Sequence, residues 1–250
     1  MKTIIEIVQD ILNDMDGDEV NSISDTTESL QVAEIVKSTY DAMMANRDWP
    51  HTKKLITLVP FTDNSLPTHV EVNRNVKRLL FVNYDMARAG DTRKKFGPVT
   101  YKEPDAFLRM LNGRNDAESN VDVIQDPSGV TLNIRNDIPP TYYTSFDDRN
   151  LVFDSYDSDV DDTIQEQKIQ AMGYIIPKLI LTDDAIPDLP EEAFPRLIEE
   201  AKSRASLKLR QVQDVKSEQE SARQDRWLAR NVWTVKGGIK YPNYGRRGKK

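Results

Sequence analysis

Only two histidines, His51 and His69, occur in the 250 residues; they lie in different segments, and there is no cysteine. Zinc sites built on histidine clusters, thiolate chemistry and the Ser–His or Cys–His pairings of nucleophilic hydrolases are therefore not expected. Carboxylates are the remaining candidates. Asp154, Asp157, Asp159, Asp161 and Asp162 form a run in which a loop begun at Asp157 has acids at its first, third and fifth positions. A helix–loop–helix calcium loop also needs glycine at the sixth position and a bidentate glutamate at the twelfth, where this chain has Asp162 and Lys168. A loop begun at Asp14 fails in the same way, with Glu19 in place of glycine. The run reads as a solvated acidic loop that caps the helix following it. Asp147, Asp148 and Asp154 could serve acid–base chemistry only if the fold turned them toward one another across a cleft. Gly237-Gly238 lacks the Lys-Ser/Thr sequel of a phosphate-binding loop, and no strand–Ser–helix nucleophile motif occurs. The expectation is a protein that is not an enzyme, with no catalytic residue, metal ligand or cofactor.

The C-terminus carries a different kind of chemistry. Lys240, Tyr241, Pro242, Asn243, Tyr244, Arg246 and Arg247 interleave aromatics with bases. Such a segment can stack on single-stranded nucleic acid. It can equally dock as an extended peptide, its tyrosines in pockets and its arginines on carboxylates. Docking is the preferred reading, because the segment is short and the body behind it is acidic. Residues 1–50 hold eleven acids and three bases, whereas Arg226 to the end holds eight bases and no acid, within a net charge of −7.

The elements that must position these groups follow from periodicity. Ile4, Ile5, Val8, Ile11, Leu12 and Met15 have helical spacing. A second helix is expected from Asp25, with Glu28 reaching back to its start, through Val32, Val36, Tyr40 and Met43 to Trp49-Pro50. The period then changes to that of strands at 55–61, 69–73 and 78–85. A short helix at 105–113, a hairpin turning at Asp126-Pro127-Ser128-Gly129 and a strand at 151–157 come next. A further helical candidate covers 163–173. Phe194, Leu197, Ile198, Ala201, Ala205, Leu209 and Val212 then predict one helix over 191–230, about 60 Å long if unbroken. The expected fold is α+β: a helical bundle with a long C-terminal helix, an inserted mostly-β domain and an extended basic C-terminal arm. Its parts are a helical hairpin (1–52), the β-rich insert (53–160), the helical completion of the bundle (161–233) and the arm (234–250). With 38% hydrophobic and 30% charged residues the bulk is polar yet able to fold. No apolar run approaches the ~20 residues that span a bilayer, so a reducing aqueous compartment and no membrane partner are expected.

Taken in order, helix, Val20-Asn21-Ser22-Ile23, Ser24-Asp25-Thr26, helix and Asn46-Arg47-Asp48-Trp49 resemble the N-terminal region of phage tail tubular protein A. That family is the head-to-tail adaptor, or gatekeeper, of short-tailed phages. Leu55–Phe61 follows the tryptophan at about the family's distance. Pro140–Asp148 followed by Leu151-Val152-Phe153-Asp154 is similar to its β-domain signature, and the proline-rich approach to the last helix also matches. The resemblance covers nearly the whole chain as loose patterns in a fixed order. The basic ending is similar to that of some members and unlike others. The resemblance implies a homo-oligomeric ring of twelve copies in the virion neck, made in the host cytoplasm, beneath the portal protein and above the tail nozzle or tube. It further implies an arm reaching between portal subunits and genomic DNA passing through the lumen. The runner-up is a virion protein that binds nucleic acid through the basic tail.

Overall fold

The structure is a computed structural model that describes residues 1–230 apart from Ala89, the side chain of Arg230 excepted. Its helices are α1 (Ile4–Asp14), α2 (Thr27–Asn46), α3 (Pro104–Asn112), α4 (Phe194–Leu209) and α5 (Val215–Arg230). Its strands are β1 (Lys53–Ile56), β2 (Leu58–Pro60), β3 (His69–Val72), β4 (Val76–Asp85), β5 (Phe96–Tyr101), β6 (Val121–Gln125), β7 (Thr131–Arg135), β8 (Tyr142–Thr144), β9 (Asn150–Phe153) and β10 (Ile169–Ile175). The chain divides into two units, one of Met1–His51 with the residues from Pro177 onward, the other Thr52–Ile176.

In the first unit, α1 starts at a reciprocal cap. The Thr3 side chain accepts from the Glu6 amide, and the Glu6 carboxylate accepts from the Thr3 amide at 2.9 Å. Ile4, Ile7, Val8, Ile11 and Leu12 form its buried stripe. The cap of α2 is Thr26 rather than Asp25. Asp25 instead accepts from the Asn21 and Ser22 amides at 2.7 and 2.9 Å, closing the turn between the helices. Val32, Val36, Tyr40 and Met43 of α2 and Leu197 and Ala201 of α4 complete the buried apolar surface.

A helical bundle with one long C-terminal helix is not what the chain forms. Among the described residues the helices are five short ones, and a nearly closed, mixed eight-stranded sheet is the largest element. The expected 191–230 helix is two helices, because the chain reverses between Leu209 and Val215. The Arg210 and Val212 amides both donate to the Ser206 carbonyl, Gln211 takes a left-handed φ of 55°, and Asp214 caps α5 by accepting from the Ser217 amide at 3.0 Å. The two helices then run antiparallel, as the Arg196–Asp225 pair (2.8 Å) and the Ser221–Glu200 hydrogen bond (2.8 Å) require. Small buried residues, Ala201 and Ala205 on α4 and Ser217 and Ser221 on α5, let them approach. The helix expected at 163–173 is likewise absent: residues from Ile169 are strand β10.

In the second unit the strand order is β1-β10-β4-β5-β8-β9-β3-β2, with a separate β6–β7 hairpin. The segment expected as one strand at 55–61 breaks at Thr57 into β1 and β2, which lie at opposite ends of that order. One residue therefore joins the two edges, and the sheet curls into a nearly closed barrel. All pairings are antiparallel except β5–β8. Its interior holds Leu58, Val70, Val82, Val99, Phe153 and Ala171 among others. Gly173 sits beside a bulge in the β10–β4 ladder. A Cβ there would meet the Arg78 carbonyl oxygen at 2.4 Å, so only glycine fits without a shift. Helix α3 packs Phe107 and Leu111 onto Ile124, Leu132 and Ile134 of the hairpin.

Candidate functional site

The carboxylates singled out by sequence do not converge on a cleft. Asp154 is buried, accepts from the Thr141 and Tyr142 amides at 2.9 and 2.8 Å, and pairs with Arg114 at 3.0 Å. Burial lowers the Arg114 pKa while Asp154 opposes that shift. Asp147 accepts from the Arg149 and Asn150 amides at a turn. Asp157 pairs with Arg88 at 3.0 Å and Asp161 with Lys168 at 2.6 Å, around a cavity of about 10 Å³ that Asp85 and Tyr84 also line. Burial, with the nearby carboxylates adding, pushes the Tyr84 phenol up. No group of three or more His, Asp or Glu side chains among the described residues is arranged to hold a metal ion.

One arrangement escaped the sequence reading. His69 on β3 lies 2.9 Å, Nε2 to Oδ1, from Asp126 in the β6–β7 turn, the side chains being 2% and 9% exposed. The Ser128 hydroxyl donates to the other Asp126 oxygen. Serine, aspartate and histidine are thus together, but in the wrong order for a nucleophile: the hydroxyl meets the carboxylate instead of the imidazole. Burial raises the Asp126 pKa, and the hydrogen bonds from Ser128 and His69 outweigh it, so the carboxyl titrates below its ordinary range. The cluster fastens a hairpin turn to the barrel. Its sequence signal was the Asp-Pro-Ser-Gly turn; the partner, 57 residues away, had none.

The tail residues Lys240, Tyr241, Pro242, Asn243, Tyr244, Arg246 and Arg247 lie outside the described residues. What the structure shows is their root. Arg47, following α2, donates to the Leu228 carbonyl near the end of α5, and its guanidinium lies 5.0 Å from the centre of the Trp49 ring. Trp49 in turn donates to the Met43 carbonyl at 3.0 Å. His51 is placed by the Asp188 carbonyl, 2.9 Å from Nε2.

No family model matches this sequence, and neither does any curated protein. Two grooves flank the start of α4, both lined by Pro195. One, of about 670 Å³, has Glu192 beside Arg223, Arg226 and the half-exposed Trp227 of α5. The other, of about 730 Å³ between α1 and α4, has Asp10, Asp14, Glu191 and Glu199 around Phe194 and Ile198. Among the described residues no helix is long and apolar enough to cross a membrane.

Proposed function

We propose that this chain is a structural virion protein, one subunit of a head-to-tail adaptor ring of a short-tailed phage. In this reading the ring of twelve copies joins the portal protein to the tail nozzle or tube in the virion neck, and its lumen forms part of the genomic DNA channel. The observation that carries the reading is the use to which reactive groups are put. His69, Asp126, Asp147, Asp154, Asp157 and Asp161 are all tied into turns or ion pairs of the scaffold. Charge is instead segregated, acidic in residues 1–50 and basic in the tail rooted on α5. An acidic body repels phosphate and so lets DNA slide past without adhering.

Deleting residues 234–250 tests the arm. The expected result is an unchanged thermal unfolding transition together with lost attachment to the portal protein; attachment at full strength would contradict the docking role. The second reading, nucleic-acid binding through the tail, is favoured by the six bases and no acid from residue 231 onward. It requires an affinity for DNA that falls steeply with salt and is lost when Arg246, Arg247, Lys249 and Lys250 become alanine.

A further inference from the structure

We propose that the acidic groove between α1 and α4 holds this chain's own C-terminal segment, Tyr241–Arg247, in the free subunit. The groove presents four carboxylates, Asp10, Asp14, Glu191 and Glu199, around an apolar floor of Phe194 and Ile198. Three of the four are already paired, Asp10 with Lys2, Glu191 with the N-terminal ammonium at 3.4 Å and Asp14 with the partly buried Lys202 at 2.7 Å; the first two pairs are solvent-facing. Exposed pairs of this kind contribute little and exchange partners readily. Glu199 makes no ion pair among the described residues.

The occupant is set by complementarity and by reach. Residues 231–250 carry six bases and no acid, with Tyr241 and Tyr244 spaced among them. Tyrosine rings suit the Phe194–Ile198 floor, and arginines can engage the carboxylates bidentately. Helix α5 runs back along α4, so the chain leaves the described residues beside the first turn of α4, with Pro195 between the two grooves. The ten residues 231–240 span at most ~33–36 Å, whereas the acidic groove lies about one helix diameter, ~10 Å, from that point. The nearer groove sets one carboxylate, Glu192, against Arg223 and Arg226, whereas the acidic groove sets four against Lys2 and the N-terminal ammonium. Docking within one chain proceeds at an effective concentration near the millimolar range, which a separate peptide would not reach. An arm held in this way is covered until a competing partner displaces it. The inference concerns the free subunit and holds or fails whatever partner the arm later meets.

The cysteine-free chain permits a direct test. In the full-length protein, Asn13→Cys in the groove is combined with Gly245→Cys in the tail, and disulfide formation under mild oxidation is followed by gel. The comparison protein carries Ser38→Cys, on the exposed side of α2, with the same Gly245→Cys. The expected result is an intrachain disulfide forming about tenfold faster than in the comparison protein, as a raised effective concentration implies. That advantage should vanish in about 1 M salt, where charges are screened beyond ~3 Å. Arg246→Glu with Arg247→Glu should abolish it as well. Equal rates in the two proteins would overturn the proposal, and predominantly interchain disulfides would assign the groove to a second copy. No portal protein enters this test, so its failure is distinct from failure of the adaptor reading.

Discussion

The two best-buried charge pairs of the barrel unit hold loops in place, and their removal has different consequences. Arg114 and Asp154 have side chains 14% and 4% exposed. Arg114→Ala leaves a buried carboxylate without its cation, and such a loss costs about 3–5 kcal/mol. Urea unfolding should show a midpoint shifted down accordingly. Asp126 adds a pH dependence. Its folded-state pKa lies below that of the unfolded chain (~3.9), so its stabilisation is fully present above that value and is lost as pH falls through the folded value. Asp126→Asn should therefore lower the melting temperature at neutral pH and flatten its decline below about pH 4, measured by thermal melts. At this scale the sequence was partly legible. The Asp126 turn could be read from local spacing; the aspartate run, expected as a solvated loop, instead has Asp154 buried against Arg114 and Asp157 paired with Arg88. The His69 and Arg114 partners could not be read, because only the barrel topology brings β3 to the hairpin turn and the end of α3 to β9.

Among the elements, the first two helices and the 122–135 hairpin follow from periodicity and turn chemistry. The misread elements have identifiable physical causes. Residues 206–216 are rich in Lys, Arg and Gln, all good helix formers, and the apolar pattern runs on to Val212. The break is marked only by Asp214 with Ser217 three residues on, a cap signal inside an otherwise helical composition. Removing it is a test: Asp214→Ala should cost about 1 kcal/mol in chemical unfolding, while Asp214→Asn should retain most of the stability. If Asp214→Ala leaves the transition unmoved, the cap is not what starts α5. Strand β10 was read as a helix because strand preference is contextual. Its partners β1 and β4 lie over 80 residues earlier in the chain. The same topology explains the split of 55–61, since a single strand cannot serve both edges of one curled sheet.

On the scale of the whole molecule, the sequence pointed to a two-part chain of polar surface and segregated charge, and its ordered motifs resemble those of a phage adaptor. The resemblance could not supply the barrel closure or the α4–α5 reversal, which depend on long-range pairing. The reversal also changes what the tail is attached to. Instead of lying at the far end of a 60 Å helix, the last described residues of α5 lie next to the first turn of α4, where Arg47 donates to the Leu228 carbonyl and Arg196 pairs with Asp225. The central claim is that the chain assembles with a portal protein into a ring, and the most direct measurement is solution mass by light scattering, alone and after mixing with that portal. The account predicts a mixture that grows into a stoichiometric complex carrying about one copy per portal subunit, as closed rotational symmetry requires. A chain whose mass ignores the portal, at low and at physiological salt, would contradict it.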